Sequence, residues 1–359
     1  MKKLGSKIDL FSSIFNEVSK EDKEKPIQIL ELFGGIGAPR KALKNLGVKH
    51  KLIDYVEWME NRVRAYNAMH PHKHEQQDIR GWNLRPCLLI HGSPCQDNSA
   101  ANLNDDQGRS MLMLETIRII SEMGDWKPKF VIWENVKGAL FKDKLPIFNK
   151  YLKEMTNLGY TNSFEILSAM DFGVPQTRER IFCISILGNE TFDFSKLRRR
   201  PLRPMSSFKQ AEHEIEDIEK YVVNAPSMLS RIKDLATPEE IERNKTKFRY
   251  LETISSFCNT ITERPDRCPA AGVFRMEDGR FRYPTEREWW RLMGFDDSDF
   301  DLMLQEFPTK KNQRNATLYA LAGNSIVVPV MEAIFEVILS GNYAVALQSN
   351  TTESRVLAC

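Results

Sequence analysis

A strand, a glycine turn and a helix follow one another within residues 26–47. Residues 26–33 (PIQILELF) predict a buried strand, and the glycines that follow it predict a tight turn. Residues 38–46 then predict a helix that Gly47 ends. Further strands are predicted at 51–57, 88–90, 130–133, 163–169 and 181–187, and further helices at 111–123 and 145–158. This alternation is typical of an α/β fold with a largely parallel, doubly wound sheet.

The alternating pattern stops near residue 187, where the composition changes. Residues 194–210 hold six basic residues and no acidic one, and an acidic patch follows at 212–219. We predict a large domain over 1–190, a small, irregular, partly β domain over 191–281, and a return segment over 282–359. In the return segment, Thr285 and Glu288 predict a capping box for a helix at 285–293. A last helix at 325–339 is expected to complete the large domain.

Length, cysteine usage and apolar runs limit the class of protein. With 359 residues, of which 42% are hydrophobic and 28% charged, the chain has the composition of a soluble protein with two lobes. Its six cysteines are scattered without a C-x-x-C spacing, which favours free thiols in a reducing cytoplasm. The apolar runs are shorter than a membrane span, and the N-terminus lacks the apolar region of a signal peptide. We therefore expect a cytoplasmic protein without membrane contact.

The glycine turn and the end of the second strand predict a site for an adenosine-containing ligand. Gly35 and Gly37 begin a G-x-G-x-x-G pattern, but Arg40 replaces its third glycine, which disfavours NAD. Glu57 lies twenty residues after Gly37, where a carboxylate can accept hydrogen bonds from both ribose hydroxyls. Residues suited to stacking on adenine or contacting its edge are Trp58, Asp78 and Ile79. S-adenosylmethionine fits better than NAD; the alternative is a structural turn beside a surface glutamate.

A cysteine follows the predicted strand at 88–90, at the end of the strand where open α/β sheets bind ligands. It belongs to residues 92–96 (GSPCQ). A Pro-Cys-Gln triplet is weak by itself, because most cysteines are small buried side chains. Four further elements follow in order, namely residues 134–136 (ENV), 176–180 (QTRER), 285–288 (TERE) and 323–325 (GNS). Because the five elements occur in this order, the triplet is a stronger indication of a functional cysteine than it is alone.

Together these elements resemble the DNA cytosine-5 methyltransferase family over about residues 27–340, and within it the phage and bacterial modification type. The matching segments are 33–37 (FGGIG) for its first motif, 94–96 (PCQ) for the nucleophile, 134–136 (ENV) for the acid, 176–180 (QTRER) for the arginines, and 282–295 and 323–329 for the last two motifs. The departures are Asp97-Asn98 for Pro-Phe, Arg109-Ser110 for Arg-Gly, and Tyr283-Pro284 for an aliphatic-Thr pair. The resemblance implies a Rossmann-like S-adenosylmethionine-dependent methyltransferase domain over 1–190 and a target-recognition domain over 191–281.

The resemblance also implies covalent catalysis on a cytosine that is flipped out of the duplex. The thiolate of Cys95 would add to carbon-6, so that carbon-5 becomes able to accept the methyl group. Glu134 would hydrogen-bond ring nitrogen-3, Arg180 would contact the base, and Arg178 would contact a neighbouring phosphate. The implied catalytic set is Cys95, Glu134, Asn135, Arg178 and Arg180, with Asn135 holding the loop geometry.

The expected binding residues complete this prediction. For S-adenosylmethionine and its product S-adenosylhomocysteine they are Phe33, Gly35, Ile36, Gly37, Glu57, Trp58, Asp78, Ile79, Pro94, Leu112, Asn324 and Ser325. For double-stranded DNA they are Gln96, Ser99, Gln176, Arg198, Arg199, Arg200, Arg264 and Arg267. We expect the loop at 98–108 to close over the flipped base; the alternative is an ordinary surface loop. No metal site is expected, because the histidines at 70–74 look like part of an exposed loop. A cytoplasmic monomer, bacterial or phage-encoded, is implied, and a cognate restriction endonuclease would act separately.

Three other functions agree with part of the sequence. A methyltransferase of the same family that acts on transfer RNA would carry a Cys-Phe-Thr triplet, whereas residues 258–260 are CNT. A zinc deaminase would need a second thiol at position 98, which is Asn98. A non-catalytic nucleic-acid binding module would have no need of Cys95, Glu134 and Arg180 together.

Overall fold

The computed structural model describes residues 26–70, 73–79, 88–92, 112–142, 144–263, 271–341 and 344–345. The described strands are β1 (Ile27–Leu32), β2 (His50–Val56), β3 (Leu88–His91), β4 (Phe130–Val136), β5 (Tyr160–Ser168), β6 (Glu179–Leu187), β7 (Glu190–Thr191), β8 (Phe274–Arg275), β9 (Phe281–Arg282) and β10 (Ala344–Val345). Six of them form the main sheet in the order β2-β1-β3-β4-β6-β5. β1 to β4 are parallel, whereas β6 runs antiparallel to both of its neighbours, β4 and β5.

Helices cover both faces of this sheet. The described helices are α1 (Ala38–Asn45), α2 (Glu60–Met69), α3 (Leu112–Glu122), α4 (Leu145–Asn157), α5 (Pro226–Leu229), α6 (Pro238–Asn244), α7 (Glu286–Arg291), α8 (Asp297–Glu306), α9 (Ala316–Gly323) and α10 (Val328–Ser340). α1 packs against α10 on one face, and α3 packs against α4 on the other. The fold is therefore the doubly wound α/β arrangement that the sequence predicts.

Two apolar cores hold these layers together, because successive side chains of a strand point to opposite faces. In β4, Ile132 lies in the core that contains α1 and α10. Its neighbours Val131 and Trp133 lie in the core that contains α3 and α4, where Phe148 stacks on Trp133 with the ring centroids 5.0 Å apart. Burial on both faces explains why the central strands are near-continuous apolar runs.

The region between β7 and α7 is irregular, as predicted. It contains α5, α6, the antiparallel pair β8–β9 and several single helical turns. Its own small core is Val223, Ile232, Leu251, Val273 and Phe281. Phe194 and Phe208, by contrast, pack into the core that contains α1 and α10. The domain boundaries at 190/191 and 281/282 stay a prediction.

The return segment packs back on the sheet. Thr285 and Glu288 form the predicted capping box, each side chain accepting a hydrogen bond from the other residue's backbone N–H. By length and composition alone, the apolar segment Ala316–Ser340 is suited to crossing a membrane, but 78% of its apolar window is buried inside the protein. The segment comprises two helices, α9 and α10, which form part of the core.

Some elements differ from those predicted. β4 continues to Val136, because the acid motif pairs with β6 as far as Arg180. α10 begins at Val328 rather than near 325, with Pro329 in its first turn. α2, α8 and α9 were not predicted from the sequence. α2, for example, buries only Val63, Ala65 and Tyr66, too few apolar positions for a clear helical period.

Candidate active site

A cleft opens where β1 and β3 lie side by side, at the carboxyl ends of the parallel strands. β1 leads to β2 on one side and β3 to β4 on the other, and open α/β sheets bind ligands at such a reversal. The cleft has a volume of about 610 Å³, which is typical of a small-molecule site. Its lining includes residues 33–36, 57–59, 77–79, 134–136 and 323–326, together with Arg178 and Arg180.

The glycine turn after β1 forms one wall of the cleft. A Cβ on Gly34 would come within 2.6 Å of the Tyr55 ring, so any larger residue would clash there. Tyr55 Oη donates a 2.6 Å hydrogen bond to the carbonyl of Gly35, which has a φ of 55°. Phe33 also has a positive φ, 54°, which is uncommon for a residue with a side chain. β2 therefore holds the turn in a left-handed conformation with its backbone facing the cleft.

Glu57 is fixed at the end of β2 by backbone groups from two segments. Its Oε2 accepts a 3.2 Å hydrogen bond from Gly35 N–H, and its Oε1 accepts a 2.9 Å bond from Met59 N–H. Arg62 Nη1 lies 3.4 Å from Oε2. The carboxylate is nearly fully buried but lines the cleft. A carboxylate offers about four acceptor positions, and these three donors leave Glu57 capacity for one ligand hydroxyl.

A second buried carboxylate, Glu31, lies behind the glycine turn and also lines the cleft. Tyr66 Oη donates a short hydrogen bond to Glu31 Oε2, and Arg40 N–H donates a 3.3 Å bond to Oε1. Burial raises the pKa of Glu31 to about 7, although the Tyr66 hydrogen bond and the Arg40 charge both lower it. Glu31 therefore keeps its proton to a higher pH than an exposed glutamate does. The apolar residues around Glu31 in the sequence predict only a buried strand, so Glu31 was not predicted to line a site.

Glu134 and Arg180 face each other across β4 and β6. Arg180 pairs in register with Val136, so Glu134 is its diagonal neighbour on the same face of the sheet. Arg180 Nε lies 3.3 Å from Glu134 Oε1. Burial raises the pKa of Glu134 above its ordinary value, while the charges of Arg180 and Arg178 oppose that shift. The pair places a carboxyl with a raised pKa beside a cation at the cleft.

The backbone that leads to the cysteine motif begins beside this pair. A Cβ built on Gly92 would lie 3.8 Å from Glu134 Oε2. Gly92 stands three residues before Cys95 in the sequence. Cys95 itself lies outside the described residues, as do Pro94, Gln96, Ser99, Arg264, Arg267 and the loop at 98–108. The predictions for all of these residues stay predictions.

Gln176 and Arg178 are placed differently from their predicted DNA contacts. Gln176 is fully buried; its Nε2 donates to the carbonyl of Leu292 at 2.9 Å and its Oε1 accepts from Ile261 N–H at 3.0 Å. Arg178 is also buried and donates to three backbone carbonyls, those of Ile261, Gly323 and Ser325. The Gln176 amide and the two terminal nitrogens of the Arg178 guanidinium are thus bonded to other parts of the protein, and their contacts with DNA stay a prediction.

Most of the predicted cofactor residues that the structure describes meet at the cleft. The described residues that line it are Phe33, Gly35, Ile36, Glu57, Trp58, Asp78, Ile79, Asn324 and Ser325. Trp58 is 61% exposed and therefore offers a free ring face. Gly37 is different, because it lies against the Tyr66 ring outside the lining. Of Leu112, only its position at the start of α3 is described. Lining residues that the sequence did not indicate include Met59, Arg62, Gln77, Glu263 and Ile326.

The arginines predicted to contact DNA at the start of the small domain have different surroundings. Arg199 pairs with Asp171 and lies 3.6 Å from Glu165. Arg200 pairs with Glu332 at 2.6 Å and lies 3.8 Å from Glu336. Arg198 is exposed and forms no ion pair with the part of the chain that the structure describes. Only Arg198 of the three offers an unpaired cation, and its contact with DNA stays a prediction.

The histidine segment also differs from the exposed loop that the sequence suggested. His70 packs on the Tyr66 ring with the centroids 4.5 Å apart, and burial lowers the pKa of His70 to about 3. His74 packs on the same ring, with centroids 5.6 Å apart. Within the described ranges, no group of three or more His, Cys, Asp or Glu side chains is arranged to hold a metal ion.

Comparison with known proteins places this geometry in context. The family model described as C-5 cytosine-specific DNA methylase matches residues 27–340. Type II methyltransferase M2.ScrFI of Lactococcus lactis subsp. cremoris is 36% identical, over 86% of this chain and 98% of the relative. Orphan methyltransferase M.SPRI of Bacillus phage SPR is 28% identical, over 86% of this chain and 97% of the relative.

Solved structures of similar shape agree on the fold. The Dnmt2 methyltransferase of S. pombe aligns with a TM-score of 0.66 at 19% identity, covering 88% of this chain and 99% of that one. The methyltransferase EhMeth of Entamoeba histolytica aligns with a TM-score of 0.68 at 19% identity, covering 89% of this chain and 99% of that one. At these identities the likeness speaks for the fold alone, which is the Rossmann-like methyltransferase fold that the sequence predicts.

Proposed function

Because the chain belongs to the C-5 cytosine-specific DNA methylase family, we propose that it methylates carbon-5 of a cytosine within a short DNA motif, using S-adenosylmethionine. The observation that carries the proposal is the Glu134–Arg180 pair at the cleft, with Gly92 beside it at the entry to the cysteine motif. A buried acid, an adjacent cation and a nearby thiol are the groups that covalent attack on a pyrimidine requires.

The residues around the cleft suit S-adenosylmethionine. Glu57 can accept a hydrogen bond from a ribose hydroxyl, and the exposed face of Trp58 can stack on adenine. The glycine turn brings backbone close to the ligand without side chains between them. When bound, S-adenosylmethionine supplies a methyl group on a positively charged sulfur. Glu31, with its pKa raised to about 7 by burial, adds a carboxyl to this wall.

In the proposed reaction, the Cys95 thiolate forms a bond to carbon-6 of a flipped cytosine. Glu134 donates its proton in a hydrogen bond to nitrogen-3, where electron density accumulates during the attack. Arg180 holds the base oxygen, and its charge opposes the rise that burial causes in the pKa of Glu134. Carbon-5 takes the methyl group; a base, a role that water can fill, then removes the carbon-5 proton as the bond to Cys95 breaks, which restores the ring and the thiolate. Asn135, next to the acid, is proposed to fix the backbone of the motif.

The proposal includes the setting of the reaction. We propose a monomer that acts on double-stranded DNA in a bacterial cytoplasm, since the relatives come from bacteria and their phages. A restriction endonuclease with the same motif would act separately, on unmodified DNA. Phosphate contacts from Arg198, Arg264 and Arg267, and contacts of Gln96 and Ser99 near the flipped base, belong to the same proposal.

Methylation of unmodified genomic DNA tests the proposal directly. The purified chain is incubated with S-adenosylmethionine, and the DNA is sequenced by a method that detects 5-methylcytosine. Methylation at one cytosine of a short motif is the expected result, and Cys95→Ser is expected to abolish it while DNA and cofactor binding persist. Methylation of transfer RNA alone would move the chain to the RNA branch of the family. Substantial methylation by the Cys95→Ser variant would refute the role of Cys95.

A further inference from the structure

Arg178 joins three segments that are far apart in the chain. Its Nη1 donates to Ile261 O at 2.9 Å, and its Nη2 donates to Gly323 O at 3.1 Å and to Ser325 O at 2.8 Å. The acceptors are backbone carbonyls, and the nearest charges are those of Arg180 and Glu134. Burial, together with the charge of Arg180, lowers the pKa of Arg178 to about 9. Burying a cation is costly, so a site that keeps one there without an ion pair to any described residue calls for an explanation.

The segment 258–263 is attached to the arginine motif by several further bonds. Thr260 Oγ1 donates to Thr177 O at 2.9 Å, and Thr177 N–H donates to Cys258 O at 3.0 Å. Gln176 accepts a bond from Ile261 N–H at 3.0 Å. This segment leads directly to the part of the predicted recognition region that carries Arg264 and Arg267 in the sequence.

The same segment also contacts the cleft wall on the other side. A Cβ on Gly323 would lie 2.5 Å from Glu263 N, so the two backbones pack without space between them. Asn324 Nδ2 donates to Glu263 Oε2 at 2.9 Å. Gly323, Asn324 and Glu263 all line the cleft. A shift of 258–263 would therefore move the wall that faces the cofactor.

From these contacts we infer that Arg178 is a positioning residue that couples DNA engagement by the recognition region to the cofactor cleft. The inference rests on the proposed function. An occupant of the cleft that contacts Asn324 and Ser325 holds the carbonyls to which Arg178 donates. Through Ile261, Arg178 then holds the segment that leads to the DNA-contacting residues. Coupling of this kind is reciprocal, so DNA must raise cofactor affinity by the same factor by which cofactor raises DNA affinity.

The experiment measures the dissociation constant of S-adenosylhomocysteine twice. One measurement is made without DNA, and the other with a duplex that contains the motif in which the protein methylates cytosine. For the wild-type protein we expect DNA to tighten binding by a factor within the roughly 5- to 150-fold range of ordinary couplings. In Arg178→Lys, which keeps the charge but loses the fork that spans three carbonyls, we expect this factor to fall to near one. The dissociation constant of S-adenosylhomocysteine measured without DNA is expected to change less in this variant than the factor by which DNA tightens binding.

A second variant keeps the test decisive if Arg178→Lys does not fold. Thr260→Val removes the bond to Thr177 O without changing the shape of the side chain, and we expect it to reduce the factor. Its matched control is Thr161→Val, which removes a 2.6 Å bond from Thr161 Oγ1 to Gly188 O at the opposite end of the sheet. A factor of one in the wild type overturns the inference, as does an unchanged factor in the folded variants. Failure of the wild type to methylate DNA is a separate result and refutes the proposed function instead.

Discussion

Arg180 holds Glu134 in a partly buried ion pair, with Arg180 Nε 3.3 Å from Glu134 Oε1, across neighbouring antiparallel strands. Two opposite effects act on the pKa of Glu134: burial raises it, and the charge of Arg180 lowers it. Glu134 therefore keeps a proton to higher pH than an exposed glutamate does, yet remains able to release it. A group in this state can hydrogen-bond a ring nitrogen as charge develops there.

Replacing this carboxyl is expected to slow the chemical step. Glu134→Gln keeps the shape but cannot adjust its proton, and we expect single-turnover methylation to slow by about 100-fold or more. Because the proposed mechanism uses the protonated form of Glu134, the wild-type rate should fall as pH rises through the raised pKa, and this fall should be absent in the variant. Glu179→Gln is the control, since Glu179 is exposed and pairs with Lys137. Equal rates in the wild type and Glu134→Gln would contradict the assignment.

The cofactor end of the cleft can be tested separately at Glu57. In Glu57→Gln, the side-chain amide group would face a backbone donor, either Gly35 N–H or Met59 N–H, and the charge that attracts a ribose hydroxyl would be lost. We expect S-adenosylhomocysteine to bind about 10- to 100-fold more weakly by titration calorimetry. The rate at saturating cofactor should change much less. Glu60→Gln, an exposed residue nearby, should bind like the wild type, and weakening of similar size there would point to a general loss of fold.

The buried pair Arg282–Glu288 is expected to dominate local stability. Both side chains are 0% exposed, and Glu288 also accepts bonds from Gln210 N–H at 2.8 Å and Thr285 N–H at 2.7 Å. Glu288→Gln leaves the guanidinium buried without its countercharge, so we expect a loss of about 3–5 kcal/mol in denaturant unfolding. Glu252→Gln breaks the exposed pair with Lys233 and should cost at most about 1 kcal/mol. Similar losses in both variants would contradict this ranking.

Glu31 predicts a pH dependence of stability. Its folded pKa of about 7 exceeds its ordinary 4.5, so between these values the folded protein holds more protons than the unfolded chain. The free energy of unfolding must then fall as pH rises from about 4.5 to 7. Above pH 7 the loss of unfolding free energy caused by Glu31 stays constant. Glu31→Gln should remove this contribution, which amounts to at most about 1.4 kcal/mol per pH unit for one proton.

Urea unfolding at several pH values between 5 and 8 measures this slope. Glu75→Gln is the control, because Glu75 is exposed and should leave the slope of the wild type unchanged. If Glu31→Gln shows the same dependence on pH as the control, then another group carries the proton.

Local features of the fold followed directly from the sequence. The capping box of Thr285 and Glu288, the glycine turn and the strand before it depend on residues within a few positions of one another. The direction of β6 did not follow, because an apolar run pairs equally well in either direction. α9 was missed for a related reason: it is apolar on nearly all sides and carries no helical period.

The residues of the candidate site also divide into those that could be predicted from the sequence and those that could not. Glu57, Trp58, Glu134 and Arg180 could be predicted, since each stands at the end of a strand or in a recognisable motif. Arg178 could not, because its partners lie 83 to 147 residues away and are backbone carbonyls, which any sequence would supply. The burial of Gln176 could not be predicted for that reason too: its side chain is polar, and only the tertiary structure shows that it is fully buried.

The two walls of the cleft have a consequence for biosynthesis. One wall is made of residues 33–36 and the other of residues 323–326, while Glu134 and Arg180 lie between them in the chain. A ribosome makes the catalytic pair long before it makes the second wall. A nascent chain that has reached only the small domain has the acid and the arginine but an open cleft. We therefore expect methylation only from chains whose translation has passed residue 326.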